Sequence, residues 1–333
     1  MINYTGIIGF GIGHKHLEAI HNYKNFKIKY VCDLNKKVKN KLKKKYPKII
    51  FTNNEDDIFS DEEIKLVSIA SYDQFHFNQI KKCILFDKHI IVEKPMCLTF
   101  GELKIIKSML SKKKNIKLMS NLVLRANNLF NVLKSKISKK NIFYIEADYL
   151  WGREHKLYEW RSSTKKYSLT LGAGIHMIDL VMWFLNSRPI SVNAFSNNKM
   201  TKNSVFKKDS LIVAICKFPK NILVKISANA VATYDHFHEL KIFCKNSTYV
   251  HSLHKTFELK KNKKNFSLRN IKATYPDKKN RKKLIRNFLD YAFFKDLTKK
   301  NNFLKKNQFD LMSVCFAIDK SIKNKREVKI RYL

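Results

Sequence analysis

Three clusters in this 333-residue chain carry side chains at spacings suited to chemistry. The first is Gly9-Phe10-Gly11-Ile12-Gly13-His14. Residues without Cβ let backbone N–H groups and the positive end of a helix approach a pyrophosphate closely. Asp33 stands twenty residues beyond Gly13, where an acid hydrogen-bonds a ribose 2′-OH. The usual spacing is G-x-G-x-x-G; here His14 takes the third glycine's place and Gly13 comes one position early. A tight strand-to-helix corner without a ligand would use the same residues. The second cluster is Glu93-Lys94-Pro95, directly after an apolar run. A lysine at the carboxyl end of a parallel strand is desolvated toward a useful pKa, and Pro95 holds Lys94 extended. In isolation this tripeptide is more often a surface turn. The third is Gly172-Ala173-Gly174-Ile175-His176-Met177-Ile178-Asp179. His176 and Asp179 are three apart at a helix start, so they share one face. A lone His on an apolar helix is usually a satisfied core residue, whereas His with Asp at a Gly-rich helix start reads as a site.

The elements that must position these clusters follow from periodicity. Residues 1–121 alternate short apolar runs with helical patterns. Strands are predicted at Tyr4–Phe10, Phe26–Cys32, Lys65–Ala70, His89–Val92 and Lys117–Asn121. Helices are predicted at Leu17–Tyr23, Lys36–Tyr46, Phe75–Phe86 and Phe100–Leu110. This rhythm argues for right-handed crossovers and a doubly wound parallel sheet. From 122 to 333 the rhythm changes. Ile142–Tyr149 alternates, with Phe143, Ile145, Ala147 and Tyr149 expected on one face. Further strands are predicted at Ser191–Phe195, Leu211–Phe218, Ile222–Thr233, Glu239–Phe243 and Thr256–Lys260, as in an antiparallel sheet. Helices are predicted at Gly174–Leu185, Arg281–Leu297 and Phe309–Lys323, and Lys260–Lys283 reads as a surface loop. The expected organisation is therefore α/β: a Rossmann domain over 1–121 and an α+β domain with a large, mostly antiparallel sheet over 122–333.

Length and composition bound the rest. A chain of this size fits two domains, and 44% hydrophobic with 12% aromatic residues excludes a disordered chain. No apolar stretch approaches the ~18 residues of a bilayer crossing; the best, Ile175–Leu185, contains Asp179. No basic segment followed by an apolar one opens the chain, so no secretory signal is expected and the expected location is cytoplasmic. Lysine dominates the +40 charge, with 58 Lys and 9 Arg. Such a field attracts polyanions at low salt, yet nine scattered Arg make no base-reading stripe. Specific nucleic-acid binding is not expected. Six widely spaced cysteines lack metal spacing and read as reduced, buried thiols, with no metal site.

In this order and at these separations, the three motifs resemble the Gfo/Idh/MocA family of NAD(P)-dependent oxidoreductases. The resemblance extends to Ser71-Tyr72-Asp73-Gln74-Phe75-His76, Asn121-Leu122-Val123-Leu124-Arg125, Trp160-Arg161, and a helix to Ser321 followed by a Val328–Tyr332 strand. It implies a dinucleotide held by Gly9, Phe10, Gly11, Ile12, Gly13, Asp33, Ser71, His76, Glu93, Lys94 and Asn121; Asp33, standing where a 2′-phosphate would sit, favours NAD over NADP. Lys94 then touches nicotinamide ribose and substrate, His176 transfers the proton, and Asp179 binds substrate hydroxyls. Arg153, Tyr158, Trp160 and Arg161 would line the substrate mouth, or else serve ordinary loop packing. Many members carry D-x-G-x-H-x-x-D, and here Gly172 stands where the Asp belongs. The implied function is NAD(P)-dependent hydride transfer at a CH–OH or carbonyl carbon of a sugar or nucleotide sugar. Such a sugar would serve surface-polysaccharide synthesis, and the enzyme would be a homodimer or homotetramer. A non-catalytic NAD-binding protein and an imine- or tetrapyrrole-type reductase are the alternatives.

Overall fold

The computed structural model describes residues 2–137, 141–253, 255–262, 265–296 and 305–333. They group into two compact units, 1–123 with 278–309, and 124–277 with 310–333.

The first unit holds β1 (Asn3–Ile8), α1 (Gly13–Ile20), β2 (Phe26–Cys32), α2 (Lys36–Lys45), β3 (Ile50–Thr52), α3 (Asp56–Phe59), β4 (Ile64–Ile69), α4 (His76–Leu85), β5 (His89–Val92), α5 (Phe100–Lys112) and β6 (Leu118–Ser120). The strands form one parallel sheet in the order β3-β2-β1-β4-β5-β6. Ile7, Val31, Leu66, Val67, Ile90 and Ile91 are all buried, as expected where helices cover both faces of a parallel sheet. The order reverses between β1 and β4, where such sheets bind ligands. The Gly9–Gly13 turn leaves β1 at that point. The first strand stops at Ile8 because Gly9 turns at φ +83°, and the helix after it begins at Gly13, earlier than Leu17.

The second unit holds α6 (Asn128–Ile137), β7 (Ile142–Leu150), α7 (Trp160–Ser163), a π-helical turn (Thr170–Gly174), α8 (Ile175–Leu185), β8 (Ser191–Asn197), β9 (Leu211–Phe218), β10 (Ile222–Asn229), β11 (Phe237–Cys244), β12 (Ser247–His251), β13 (Thr256–Asn262) and β14 (Asn265–Asn270). The chain continues through α9 (Arg281–Phe293) and α10 (Lys305–Asn324) to β15 (Val328–Lys329). Nine strands pair in the order β14-β13-β12-β11-β7-β10-β9-β8-β15, antiparallel except between β7 and β10. Ile145, Ala147, Val224, Ile226 and Ala228 face inward with Ile175, Ile178 and Val181 of α8. Tyr144, Glu146, Asp148 and Lys225 alternate onto the other face.

Several expectations shift. Phe143 is exposed rather than sharing a face with Ile145, and Ile142 is buried instead. A register slip opposite Phe243–Cys244 adds a residue on one strand and rotates the pattern. Strand β10 ends at Asn229, short of Thr233. The expected 260–283 loop contains β14, whose six residues are all exposed. The expected helix over 281–297 ends at Phe293, and Leu297 lies outside the described residues. Residues 278–309, placed with the second half by a boundary at 121, group with the first unit. Arg286 Nε donates to the Ala19 carbonyl at 3.1 Å, Tyr23 Oη donates to Asp290 at 2.9 Å, and the Phe26 and Phe293 rings meet edge to face at 4.8 Å. Such a return of a distant helix leaves no signal in local periodicity.

Candidate functional site

In the first unit, the turn between β1 and α1 is built for close approach. A Cβ on Gly9 would meet the Ala70 carbonyl oxygen at 2.5 Å, and one on Gly13 would press Ile7 at 3.0 Å. Nothing lies within 4 Å of the Cβ position of Gly11, so that glycine leaves open space. Ile12 and His14 are exposed. The Asp33 carboxylate holds the turn: Phe10 N–H donates to one oxygen and Asn35 N–H to the other, both at 2.7 Å. Gly9 N–H donates to the Cys32 carbonyl at 2.8 Å. These residues fit a dinucleotide.

Glu93 joins four elements. Its Oε1 lies 2.9 Å from His16 Nε2 on α1 and accepts from Asn121 Nδ2 at 2.7 Å. His16 Nδ1 is 2.7 Å from Ser68 Oγ on β4. Burial pushes the Glu93 carboxyl upward, but the bonds and charge of His16, with Asn121 and Lys94, more than reverse this and leave it below the ordinary carboxylate range. Glu93 and Asn121 therefore brace the strand ends around half-buried Lys94. His76 is fully buried: its Nδ1 is 2.7 Å from the Pro95 carbonyl oxygen and its Nε2 is 3.1 Å from that of Ser71. Ser71 Oγ donates to Gln79 at 2.6 Å. His76 ties the loop after β4 to the Lys94–Pro95 segment, whose peptide bond is cis.

In the second unit, the π-helical turn runs straight into α8, and both His176 and Asp179 are buried. Asp179 is 1% exposed and forms a two-point ion pair with Arg125; Arg125 Nε donates to Oδ2 at 2.8 Å. The His176 ring lies nearly parallel to Tyr149, centroids 5.8 Å apart at 13°, with His238 edge-on at 6.3 Å. Arg161 is stacked, its guanidinium 4.3 Å from the Trp160 ring and 5.2 Å from Trp151. Lys208 Nζ donates to the carbonyls of Arg161, Ser162 and Thr164 at 3.2, 3.2 and 2.6 Å, which closes the end of α7. Arg153 and Tyr158 are exposed, and the Tyr158 hydroxyl donates to Glu154.

Gly172 has a specific neighbour. A Cβ there would fall 2.1 Å from the Tyr167 hydroxyl and 2.5 Å from its ring carbon Cζ. Tyr167 is 5% exposed, packed edge to face against Trp160 and Phe206. The phenol thus fills the place of a side chain at 172.

Reading the sequence alone misses His16, Tyr149, Tyr167, His236 and His238. His16 carried a visible signal, two residues past His14 on the first helix. The others sit in strands or loops where an aromatic reads as core. Among the described residues no cluster of three or more metal-ligating side chains exists. No helix there is long and apolar enough to cross a membrane, and all six cysteines are buried and free.

Comparison with known proteins bears on the family and the fold. Residues 4–122 match the model of an oxidoreductase family with an NAD-binding Rossmann fold, and residues 141–250 match the GFO/IDH/MocA C-terminal domain. The glucose-6-phosphate 3-dehydrogenase of Bacillus subtilis is 28% identical over 217 residues, spanning 62% of this chain and 60% of that protein. The chain thus matches less than two thirds of that relative's length. The myo-inositol 2-dehydrogenase structure from Lactobacillus plantarum superposes with a TM-score of 0.82 at 16% identity, covering 99% of this chain and 100% of that one. The scyllo-inositol dehydrogenase of Lactobacillus casei, solved with NAD(H) and scyllo-inositol, superposes at 0.75 with 16% identity, covering 99% of each. These two share the fold.

Proposed function

We infer that this chain, which belongs to the Gfo/Idh/MocA oxidoreductase family, moves a hydride between a nicotinamide dinucleotide and a hydroxyl- or carbonyl-bearing carbon of a sugar-type substrate. The observation that carries the reading is His176. It is an imidazole buried on α8 where the helix pattern calls for an apolar residue, held beside Tyr149 and His238. The dinucleotide, when bound, supplies the hydride acceptor or donor. The N–H groups of the Gly9–Gly13 turn and the start of α1 suit its pyrophosphate. Asp33 suits the adenosine ribose, and Lys94 the nicotinamide ribose and the substrate oxygen. As an alcohol carbon loses its hydride, its hydroxyl proton goes to His176; in reduction the imidazolium returns it. Asp179 keeps a second lone pair on each oxygen for a substrate hydroxyl while Arg125 holds it. Trp160 offers a ring face, and Arg153, Tyr158 and Arg161 offer polar atoms, to a sugar or nucleotide sugar.

NAD is the favoured form. A 2′-phosphate beside the Asp33 carboxylate would cost on the order of 1–3 kcal/mol. Equal dissociation constants for NADH and NADPH would sink this preference, and Asp33→Ser should narrow the gap.

The experiment is a fluorescence titration with NADH, followed by nicotinamide absorbance with inositols, sugar phosphates and nucleotide sugars. Turnover with at least one, lowered roughly 10²–10⁴-fold in Lys94→Ala and His176→Ala, supports the reading. Tight NADH binding without turnover across the panel would favour a non-catalytic dinucleotide-binding protein. Near-native turnover in His176→Ala would remove His176 as the proton carrier.

A further inference from the structure

We propose that Tyr149 and His236 form a positioning pair for the His176 imidazole: Tyr149 presents the face that aligns the ring, and His236 fixes Tyr149 from the solvent side. This rests on reading His176 as the proton carrier. Tyr149 points inward on β7, in line with Ile145 and Ala147, and is 6% exposed. A phenol buried there is costly unless its hydroxyl is bonded, and the Tyr149 oxygen lies 2.9 Å from His236 Nε2. His236 is half-exposed, one residue before β11, between exposed Asp235 and buried Phe237. The hydrogen bond therefore runs from the inner face of the sheet to the solvent side of the β10–β11 connection.

The rings around His176 limit how it can turn. Tyr149 lies offset-stacked on it at 13°, a favoured arrangement for π-systems. His238 meets Tyr149 edge-on at 4.7 Å and 72°. His238 is itself held by the Tyr275 hydroxyl, 2.6 Å from Nδ1 and accepting from the His238 backbone N–H at 3.1 Å. Packing alone would be served as well by Leu or Val at 149. A ring tethered through its oxygen adds orientation, which aliphatic packing does not give. Orientation matters because proton transfer needs the imidazole nitrogen aimed at the substrate hydroxyl.

Four variants separate the parts. Tyr149→Phe keeps the ring and loses the bond; Tyr149→Leu loses the ring; His236→Ala loses the partner; His236→Gln keeps a side chain able to pair with the phenol. The first readout needs no substrate: carbon-13 NMR of ε1-labelled histidines in the full chain, with the His176 signal assigned through His176→Gln. In Tyr149→Leu the His176 signal should lose its ring-current shift. In Tyr149→Phe and His236→Ala it should broaden or split, and in His236→Gln it should match the parent. The second readout is kinetic, on whichever sugar turns over. We expect kcat to fall roughly 10–100-fold in Tyr149→Leu and about 3–10-fold in Tyr149→Phe and His236→Ala, with KM and NADH affinity within about twofold. His236→Gln should rescue. An unchanged His176 signal in both Tyr149→Phe and His236→Ala overturns the proposal. So does a loss of kcat that follows melting temperature and is not rescued by His236→Gln. If no sugar turns over but the NMR changes appear, the hydride-transfer reading fails and the positioning pair stands.

Discussion

At Asp33 and Glu93, carboxylates expected to meet a ligand also hold backbone and strand ends in place. Asp33 accepts the Phe10 N–H of the glycine turn and the Asn35 N–H ahead of α2, and Glu93 bonds His16 and Asn121. Removing either changes the shape of the site as well as its charge. His251 shows the opposite economy. Its ring is enclosed by Phe237, Phe130 and Tyr275, and burial lowers its pKa to about 4 from 6.5. The unfolded chain binds a proton there that the folded chain refuses, so stability is fully present above pH ~6.5 and is lost as pH falls toward ~4. The loss attached to this one ring is roughly 3 kcal/mol. Urea denaturation of the parent and of His251→Phe across that window should show a shallower acid decline in the variant. Parallel declines would remove His251 as the source.

The elements differ in how far their sequences announce them. Strands β1, β2, β4 and β5 are apolar runs bounded by turn residues, and the alternation of Ile145, Ala147 and Tyr149 marks β7 directly; these were legible. Strand β14 was not, because none of its six side chains is buried; backbone pairing with β13 alone makes it a strand. Of the candidate residues, the Gly9 turn, Asp33 and Lys94 in the first unit and His176 in the second stood out by residue type and spacing. Tyr149, His236 and Tyr167 did not, since their roles come from contacts across strands and loops. The segment of α7 depends on a residue equally hidden in sequence. Lys208 donates to three carbonyls at the end of that helix, and burial lowers its pKa. Lys208→Met keeps the stem and removes the donors, so amide exchange across 160–167 should quicken roughly tenfold, equivalent to about 1.4 kcal/mol of local opening. Unchanged exchange there would show that the Trp160–Arg161 stack holds the segment without the lysine.

For the whole molecule, the lysine surplus is unevenly placed. Across the chain 67 basic residues face 27 acids. On the outward face of β7, β10 and β11, however, Glu146, Asp148 and Glu239 stand against Lys225 and Lys241. Lys225 pairs with Asp148 at 3.0 Å and Lys241 with Glu146 at 3.4 Å. Beside them β9 presents Leu211, Val213 and Ile215 on the same face. A near-neutral, partly apolar face on a strongly cationic chain is where two copies can meet without charge repulsion. Light scattering at ~0.15 M salt should report a dimer or larger species, and Val213→Asp with Ile215→Asp should shift it toward monomer. A monomeric parent at micromolar concentrations would refute this association. DNA binding, if measured, should be blind to sequence and weaken steeply with salt.

The Tyr167–Gly172 contact bears on how such a chain can change over time. A side chain at 172 collides with the phenol, which Trp160 and Phe206 hold in place. An acid introduced at 172 alone therefore meets a clash, with a cost of roughly 1–3 kcal/mol. Trimming Tyr167 alone leaves a cavity, at roughly 3–5 kcal/mol. Either change alone is therefore destabilising, whereas a smaller residue at 167 would make room for a side chain at 172. Positions 167 and 172 should therefore travel as one unit of two letters, each constraining what the other can become.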